Sequence, residues 1–156
     1  MGFRQDLKEE TVDSLPLRDA IAVDPHTVIR AAIALMRSHS LGCAVVIDED
    51  GRPQGIFTEQ SVIKLLMQNA MMDDLPVSEF ADREFVVARK SDPIAKVWDA
   101  ISSDGNRFVC VVDDDGRLMG LTGQRGIAEY VADCFARQVV VQRLGGTPWM
   151  QSREGA

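Results

Sequence analysis

The chain has little from which a disulfide scaffold, a metal centre or a membrane span could be made. Its three cysteines are an odd number and form no Cys-x-x-Cys pair, which argues against a disulfide framework and against a zinc site. Cys43 and Cys110 sit in apolar, strand-like runs and Cys134 on a helical stripe, so all three read as buried, packed thiols. His26 and His39, the two histidines, have no adjacent nucleophile and no second ligand at metal spacing. No apolar run approaches the roughly 20 residues that a membrane helix needs. Met1–Glu10 is charged throughout and lacks the apolar segment of a secretory signal. Met1-Gly2 opens like a myristoylation site, but Asp6 stands where Ser or Thr is required. The expected location is therefore cytoplasmic. Basic residues are also scarce: 17 Lys+Arg against 24 Asp+Glu give a net charge of −7, which disfavours a nucleic-acid partner. No nucleophile–base pair and no carboxylate dyad stands out, so the chain is not expected to be an enzyme.

What the chain does have is a repeat. The stretch Cys43–Leu66 returns as Phe108–Val131, with Gly55 on Gly120 (120 − 55 = 65), Val46 on Val111 and Asp48 on Asp113. Asp50-Gly51-Arg52 falls on Asp115-Gly116-Arg117 without a gap. A fixed period of this kind marks one supersecondary unit that needs a neighbour to bury its apolar face. The β-branched runs Val45-Val46-Ile47 and Val111-Val112 predict strands. Each Asp-Gly supplies the positive-φ glycine of a tight hairpin. The acidic runs 48–50 and 113–115 look like chelators, yet a hairpin turn accounts for both. At 156 residues, 46% hydrophobic and 26% charged, the chain is globular, either one domain or two small ones fused.

Taken in order, 1–14 is a polar segment that forms a short helix or stays loose. Leu15-Pro16-Leu17 resembles Leu75-Pro76-Val77 at an offset of 60, which implies about five extra residues in the second copy. First strands are expected at Ile21–Val23 and Phe85–Ala88. First helices are expected at Thr27–Ser38, with Val28, Ala31, Ala32, Leu35 and Met36 inward, and at Pro93–Ser103, with Ile94, Val97, Trp98 and Ile101 inward. Pro93 reads as the first helical residue after the caps Ser91-Asp92, and Gly42 and Asp104-Gly105 as the stops. Second helices start near Thr58, with Val62, Leu65 and Leu66 inward, and near Gln124, with Ile127, Tyr130, Val131 and Cys134 inward. Asn69–Asp74 links the halves, the last helix reaches about Val140, and Gly145-Gly146-Thr147-Pro148 breaks the pattern. Trp149, in the tail beyond, has the character of an interface anchor.

The residues Val23-Asp24-Pro25, Ala31-Ala32-x-x-Leu35-Met36, Val45–Asp48 and Gly55-Ile56-Phe57-Thr58 together resemble a CBS domain, the family named after cystathionine β-synthase. Phe85–Ala88, Ile94–Ile101, Val111–Asp113 and Gly120-Leu121 repeat the resemblance, which covers about residues 15–136. It implies a tandem pair, or Bateman module: an α/β (α+β) fold of two β-α-β-β-α units with pseudo-twofold symmetry. The domains are then 15–72 and 73–140, with a lead-in at 1–14 and a tail at 141–156. The resemblance also implies a regulatory role, with an adenosine-containing ligand in a cleft between the halves, a homodimer, and a regulated protein as partner. No cofactor is expected beyond a bound adenine nucleotide.

In the family the ligand chemistry lies at the start of each second helix, written Gly-hydrophobic-hydrophobic-Ser/Thr-x-x-Asp. A hydroxyl at a helix N-terminus suits phosphate, and the Asp can accept hydrogen bonds from both ribose hydroxyls. Here the first copy keeps Thr58 but has Ser61 for the Asp; the second has Gly123 and Gly126. Loss of the charged acceptor costs about 1–3 kcal/mol. A ribose-phosphate ligand is then expected to depend on Thr58, with its adenine, by the resemblance, against the Phe80–Phe85 lead-in and Asn106–Phe108 of the second half. Arg107 and Arg125 can meet a phosphate as planar cations, in the second site mainly through Arg125 and the backbone of Gly123–Gly126. Thr58 reads equally as a helix cap alone, and Gly126 as a close approach of backbone or of ligand. Two functions stay open: a nucleotide-sensing regulatory module, or a dimerisation and partner-binding module that has lost its nucleotide.

Overall fold

Each half of the chain builds the same three-stranded sheet. The computed structural model describes residues 2–69 and 71–145, with side chains to position 137. Strand β1 (Ala22–Val23) runs parallel to β2 (Cys43–Ile47), which pairs antiparallel with β3 (Pro53–Thr58). Strands β4 (Val86–Arg89), β5 (Phe108–Val112) and β6 (Leu118–Gly123) repeat the arrangement. Both hairpins even slip at the same point, between Val46 and Ile47 and between Val111 and Val112. In each turn one aspartate does the folding: Asp48 Oδ1 accepts from the amides of Asp50 and Arg52, and Asp113 Oδ1 from those of Asp115 and Arg117, all at 2.9 Å. Gly51 and Gly116 both take φ = +83°, which a side chain would resist. The acidic runs are thus turn chemistry. The Arg117 amide, first among its partners, holds the Asp113 carboxyl below the usual carboxylate range.

The central strands are buried on both faces. Alternate residues of β2 divide between two clusters: Ala44 and Val46 face α2 (Ile29–Ser38) and α3 (Glu59–Met67), while Cys43 and Val45 meet Cys110 and Leu121 of the other sheet. In the second half Val109 and Val111 face α4 (Ile94–Ser102) and α5 (Gln124–Gly145). Burial pushes the Cys43 and Cys110 thiols up to about 12, with Arg107 offsetting part of the effect at Cys43. They are packed thiols, as is Cys134.

The helices depart from expectation in detail. Helix α2 begins at Ile29, because Thr27 and Val28 are extended and bonded to the segment at 75–77. Its buried stripe is Ile29, Ala32 and Met36, with Ile33 half-buried; Val28 and Leu35 face outward. Apolar residues occupy nearly every position there, so periodicity alone fits two stripes. Helix α4 begins at Ile94, and Pro93 is its extended cap, not its first residue. Asp92 spends its carboxylate on the Arg89 amide and on Lys96. The left-handed residue after α2 is Ser40, φ = +51°, and not Gly42, whereas Gly105 has the expected positive φ. On α3 only Leu65 is buried, and Leu66 is 61% exposed. The burial of Ile127, Tyr130 and Cys134 agrees with the predicted stripe of α5, whose backbone continues to Gly145, past the expected end. Trp149 and the tail at 146–156 lie outside the described residues.

The segments that precede each half are exchanged. Thr11 bridges Pro93 and Arg18 bridges Leu121, both in the second half; Pro76 bridges Val28 and Asp82 bridges Ile56, both in the first. Val12 and Val77, 65 residues apart, are fully buried and each opens a 3₁₀ turn. The offset is therefore 65 here as well, and the similarity of Leu15-Pro16 to Leu75-Pro76 does not set the alignment. No extra residues intervene. The segment at 2–15 folds as α1 (Phe3–Glu9) and packs on α4: Leu7, Val12 and Leu15 join the core of the second half, and Phe3 meets Trp98 edge-on at 5.5 Å. The paired glycines exist for this exchange. A β-carbon on Gly120 would lie 2.8 Å from the Arg18 carbonyl oxygen, and one on Gly55 would lie 3.1 Å from that of Asp82.

Candidate functional site

The exchange creates two clefts, each walled by a lead-in segment, the start of a second helix and the opposite sheet. The first, about 220 Å³, brings together Thr58, Phe85, Asn106, Arg107 and Phe108, as expected from the sequence. Its chemistry is nevertheless poor for phosphate. Thr58 Oγ1 accepts from the Ser61 amide at 3.4 Å, and Ser61 Oγ accepts from the Thr58 amide at 3.2 Å. That is a complete capping box, so both hydroxyls satisfy the helix. Ser61 does not line the cleft. Asn106 Nδ2 donates to the Ala100 carbonyl at 3.0 Å. Two acids from the lead-in, Asp82 and Glu84, complete the wall and oppose an anion.

The second cleft, about 360 Å³, lies at the start of α5 and has the opposite character. Leu41, Phe108, Leu121 and Ala128 give it an apolar lining; Arg18, Arg107 and Arg125 stand around it, and no acid lines it. Its volume falls within the range of small-molecule sites, roughly 300–1,000 Å³. The first amides of an α-helix have no partner within the helix, and here the preceding residue, Gly123, has no side chain to cap them. Gly123 cannot be replaced by the family's hydroxyl residue without movement: its β-carbon would lie 2.5 Å from the Arg107 carbonyl oxygen. Gly126 is equally confined, since its β-carbon would lie 2.4 Å from Thr122 Oγ1 and 3.3 Å from the Pro16 carbonyl oxygen. The close approach marked by Gly126 is thus that of the Thr122 side chain and the exchanged backbone. Thr122 is 4% exposed and lines the cleft, and its hydroxyl has no partner among the described residues.

Of the predicted residues, Gly123 and Arg125 lie in the second cleft, Thr58, Phe85 and Asn106 in the first, and Arg107 and Phe108 in both. Arg107 lies 5.7 Å from the centre of the Phe108 ring. Sequence reasoning missed Arg18, Leu41 and Thr122, and also Asp82 and Glu84. Arg18 and Asp82 come from exchanged segments, which no local pattern in the sequence assigns to the opposite half.

The CBS domain family matches twice, over residues 12–68 and 77–133. An uncharacterized 17.7 kDa protein from the bps2 3′ region of Acidianus ambivalens is 25% identical over 127 residues, which are 81% of this chain and 76% of that one. The fold is also that of the CBS domain protein PAE2072 from Pyrobaculum aerophilum complexed with AMP, at TM-score 0.67 and 21% identity, over 74% of this chain and 88% of that one. The CBS domain pair of protein MJ0100, in complex with 5′-methylthioadenosine and S-adenosyl-L-methionine, gives TM-score 0.68 and 24% identity over 79% and 96%. These two likenesses concern the fold. The duplicated units, their matching registers and the two family matches converge on one statement: this chain belongs to the CBS domain family and carries the domain as a tandem pair.

Proposed function

We propose that this CBS pair is a regulatory module that binds an adenosine-containing, phosphate-bearing ligand in the cleft at the start of α5 and passes its binding state to a partner protein. The observation that carries the reading is the cleft itself: apolar on its walls, three arginines around it, no acid in its lining, and an uncapped helix start. An apolar wall suits a base, and guanidinium groups with free helix amides suit phosphate. AMP, S-adenosylmethionine and methylthioadenosine accompany the structural neighbours, which supports the ligand class. A thermal-shift screen tests it. AMP, ADP or ATP should raise the melting temperature, since a ligand bound only by the native state must stabilise it, by about 2.7 kcal/mol at a hundred times Kd. S-adenosylmethionine, which lacks phosphate and carries a sulfonium cation, should not. Arg107→Ala should remove the response. Absence of a shift with every phosphate-bearing nucleotide would refute the reading.

A second reading rests on a different surface. Leu35, Ile63, Leu66 and Met67 on α2 and α3 are 37–79% exposed, beside a groove of about 580 Å³ lined in part by Ile33, Met36 and Val62. In the second half, α4 is covered by α1, whereas α2 and α3 have no such cover among the described residues. A second copy of the chain is the occupant we propose, giving a homodimer. If no nucleotide binds, assembly through this face is the function that remains.

A further inference from the structure

The cleft at α5 continues into a smaller depression of about 170 Å³, and the two share Pro16, Arg18, Arg125 and Gly126. The side chains at this edge are mostly donors. Position 126 has no room for a carboxylate, because a β-carbon there already meets Thr122 Oγ1 and the Pro16 carbonyl oxygen. Arg18 makes no ion pair among the described residues. The Thr122 hydroxyl, buried without a partner among the described residues, fills the space where a side chain at 126 would begin. The one acid in the depression, Glu129, is held by Arg125 at 3.3 Å. A ribose diol needs an acceptor to donate to, and a carboxylate is the strong one; a phosphate instead needs donors. This edge can supply donors to a phosphate and has no free carboxylate for a diol.

We infer that the cleft takes a nucleotide carrying a phosphate on its ribose in addition to the 5′-phosphate, and that it does not read a free 2′,3′-diol. This rests on the nucleotide reading above. The 5′-phosphate occupies the main cleft between Arg107 and the first turn of α5. The ribose phosphate occupies the depression between Arg18 and Arg125. Arg125 is shared with Glu129, so the ribose phosphate competes with that carboxylate.

Calorimetry on the full chain tests this with three probes: adenosine 3′,5′-bisphosphate, AMP and 2′-deoxy-AMP. The bisphosphate should bind about tenfold more tightly than AMP, and deoxy-AMP within about threefold of AMP. Arg18→Ala should bring the bisphosphate down to the affinity of AMP, and Glu129→Gln should tighten it by releasing Arg125. A bisphosphate advantage below about threefold, or a loss beyond about threefold for deoxy-AMP, overturns the inference and leaves the nucleotide reading standing. Failure of all three probes to bind, together with no thermal shift from ADP or ATP, overturns both.

Discussion

Replacing Thr122 by Val should make the protein more stable. Thr122 lies on β6 opposite Val109, is 4% exposed and has a hydroxyl without a partner among the described residues. A buried hydroxyl left unpaired costs about 1–3 kcal/mol. Valine keeps the branched shape and the strand preference while removing that cost. The methyl group is slightly larger than the oxygen, and the absent β-carbon of Gly126, 2.4 Å from that oxygen, leaves the room. Allowing for some crowding, the net gain is about 1 kcal/mol. For a chain of this length that raises the melting temperature by about 2–4 °C. Urea unfolding without nucleotide should show a higher midpoint at unchanged slope. An unchanged or lower urea midpoint would refute the reasoning, because it would mean that the hydroxyl already has a partner.

Three further outcomes follow from the structure. Gly126→Ala, which in an open helix gains about 1 kcal/mol, should instead destabilise by about 1–3 kcal/mol through the Thr122 contact; in a Thr122→Ala background denaturant curves should show most of that cost removed. Leu66→Glu, at a residue 61% exposed, should leave the unfolding midpoint of the single chain unchanged while light scattering reports one chain where the proposed homodimer gives two. Burial alone would raise the Asp92 carboxyl, but the Lys96 ammonium and the Arg89 amide together hold it below the usual value. A depressed native pKa contributes stability above the ordinary aspartate range and loses it as pH falls through the native value. The urea-midpoint gap between wild type and Asp92→Asn should therefore be open at neutral pH and should narrow as the pH falls below the ordinary aspartate range.

The duplicated hairpins were legible because their signals are local: an Asp whose carboxylate folds the turn, a Gly at positive φ, and a β-branched run on each side. The end of α4 was legible for the same reason, in Gly105. What escaped was decided by tertiary contact. Val28 and Ile29 are both apolar, and only the bridge from Val28 to Pro76 fixes which of them begins the buried stripe. Pro93 could equally open or precede a helix, and the bridge to Thr11 makes it extended. The position of Thr58 at a helix start was correctly read, yet its hydroxyl is spent on the Ser61 amide, a partner chosen by local geometry. Arg18 could not be placed in a site from its own repeat, because it serves the other one. Gly126 was visible as an anomaly, but the backbones that require Gly120 and Gly126 come from 102 and 110 residues earlier in the sequence.

The exchanged lead-ins have a consequence for how the chain folds. Hydrogen bonds join Arg18 to Leu121 at a sequence separation of 103 (121 − 18), and Thr11 meets Pro93 at one of 82 (93 − 11). Loops of that length close late and at an entropic cost that local structure cannot offset. A cut in the 69–74 linker would therefore yield two incomplete pieces in place of two domains: the first without the Val77 that fills its core, the second without Leu7, Val12 and Leu15. Neither piece should hold its sheet alone, and mixing them should restore both at once. The tandem pair is in this sense one interlocked body, and its smallest folding unit is the pair itself.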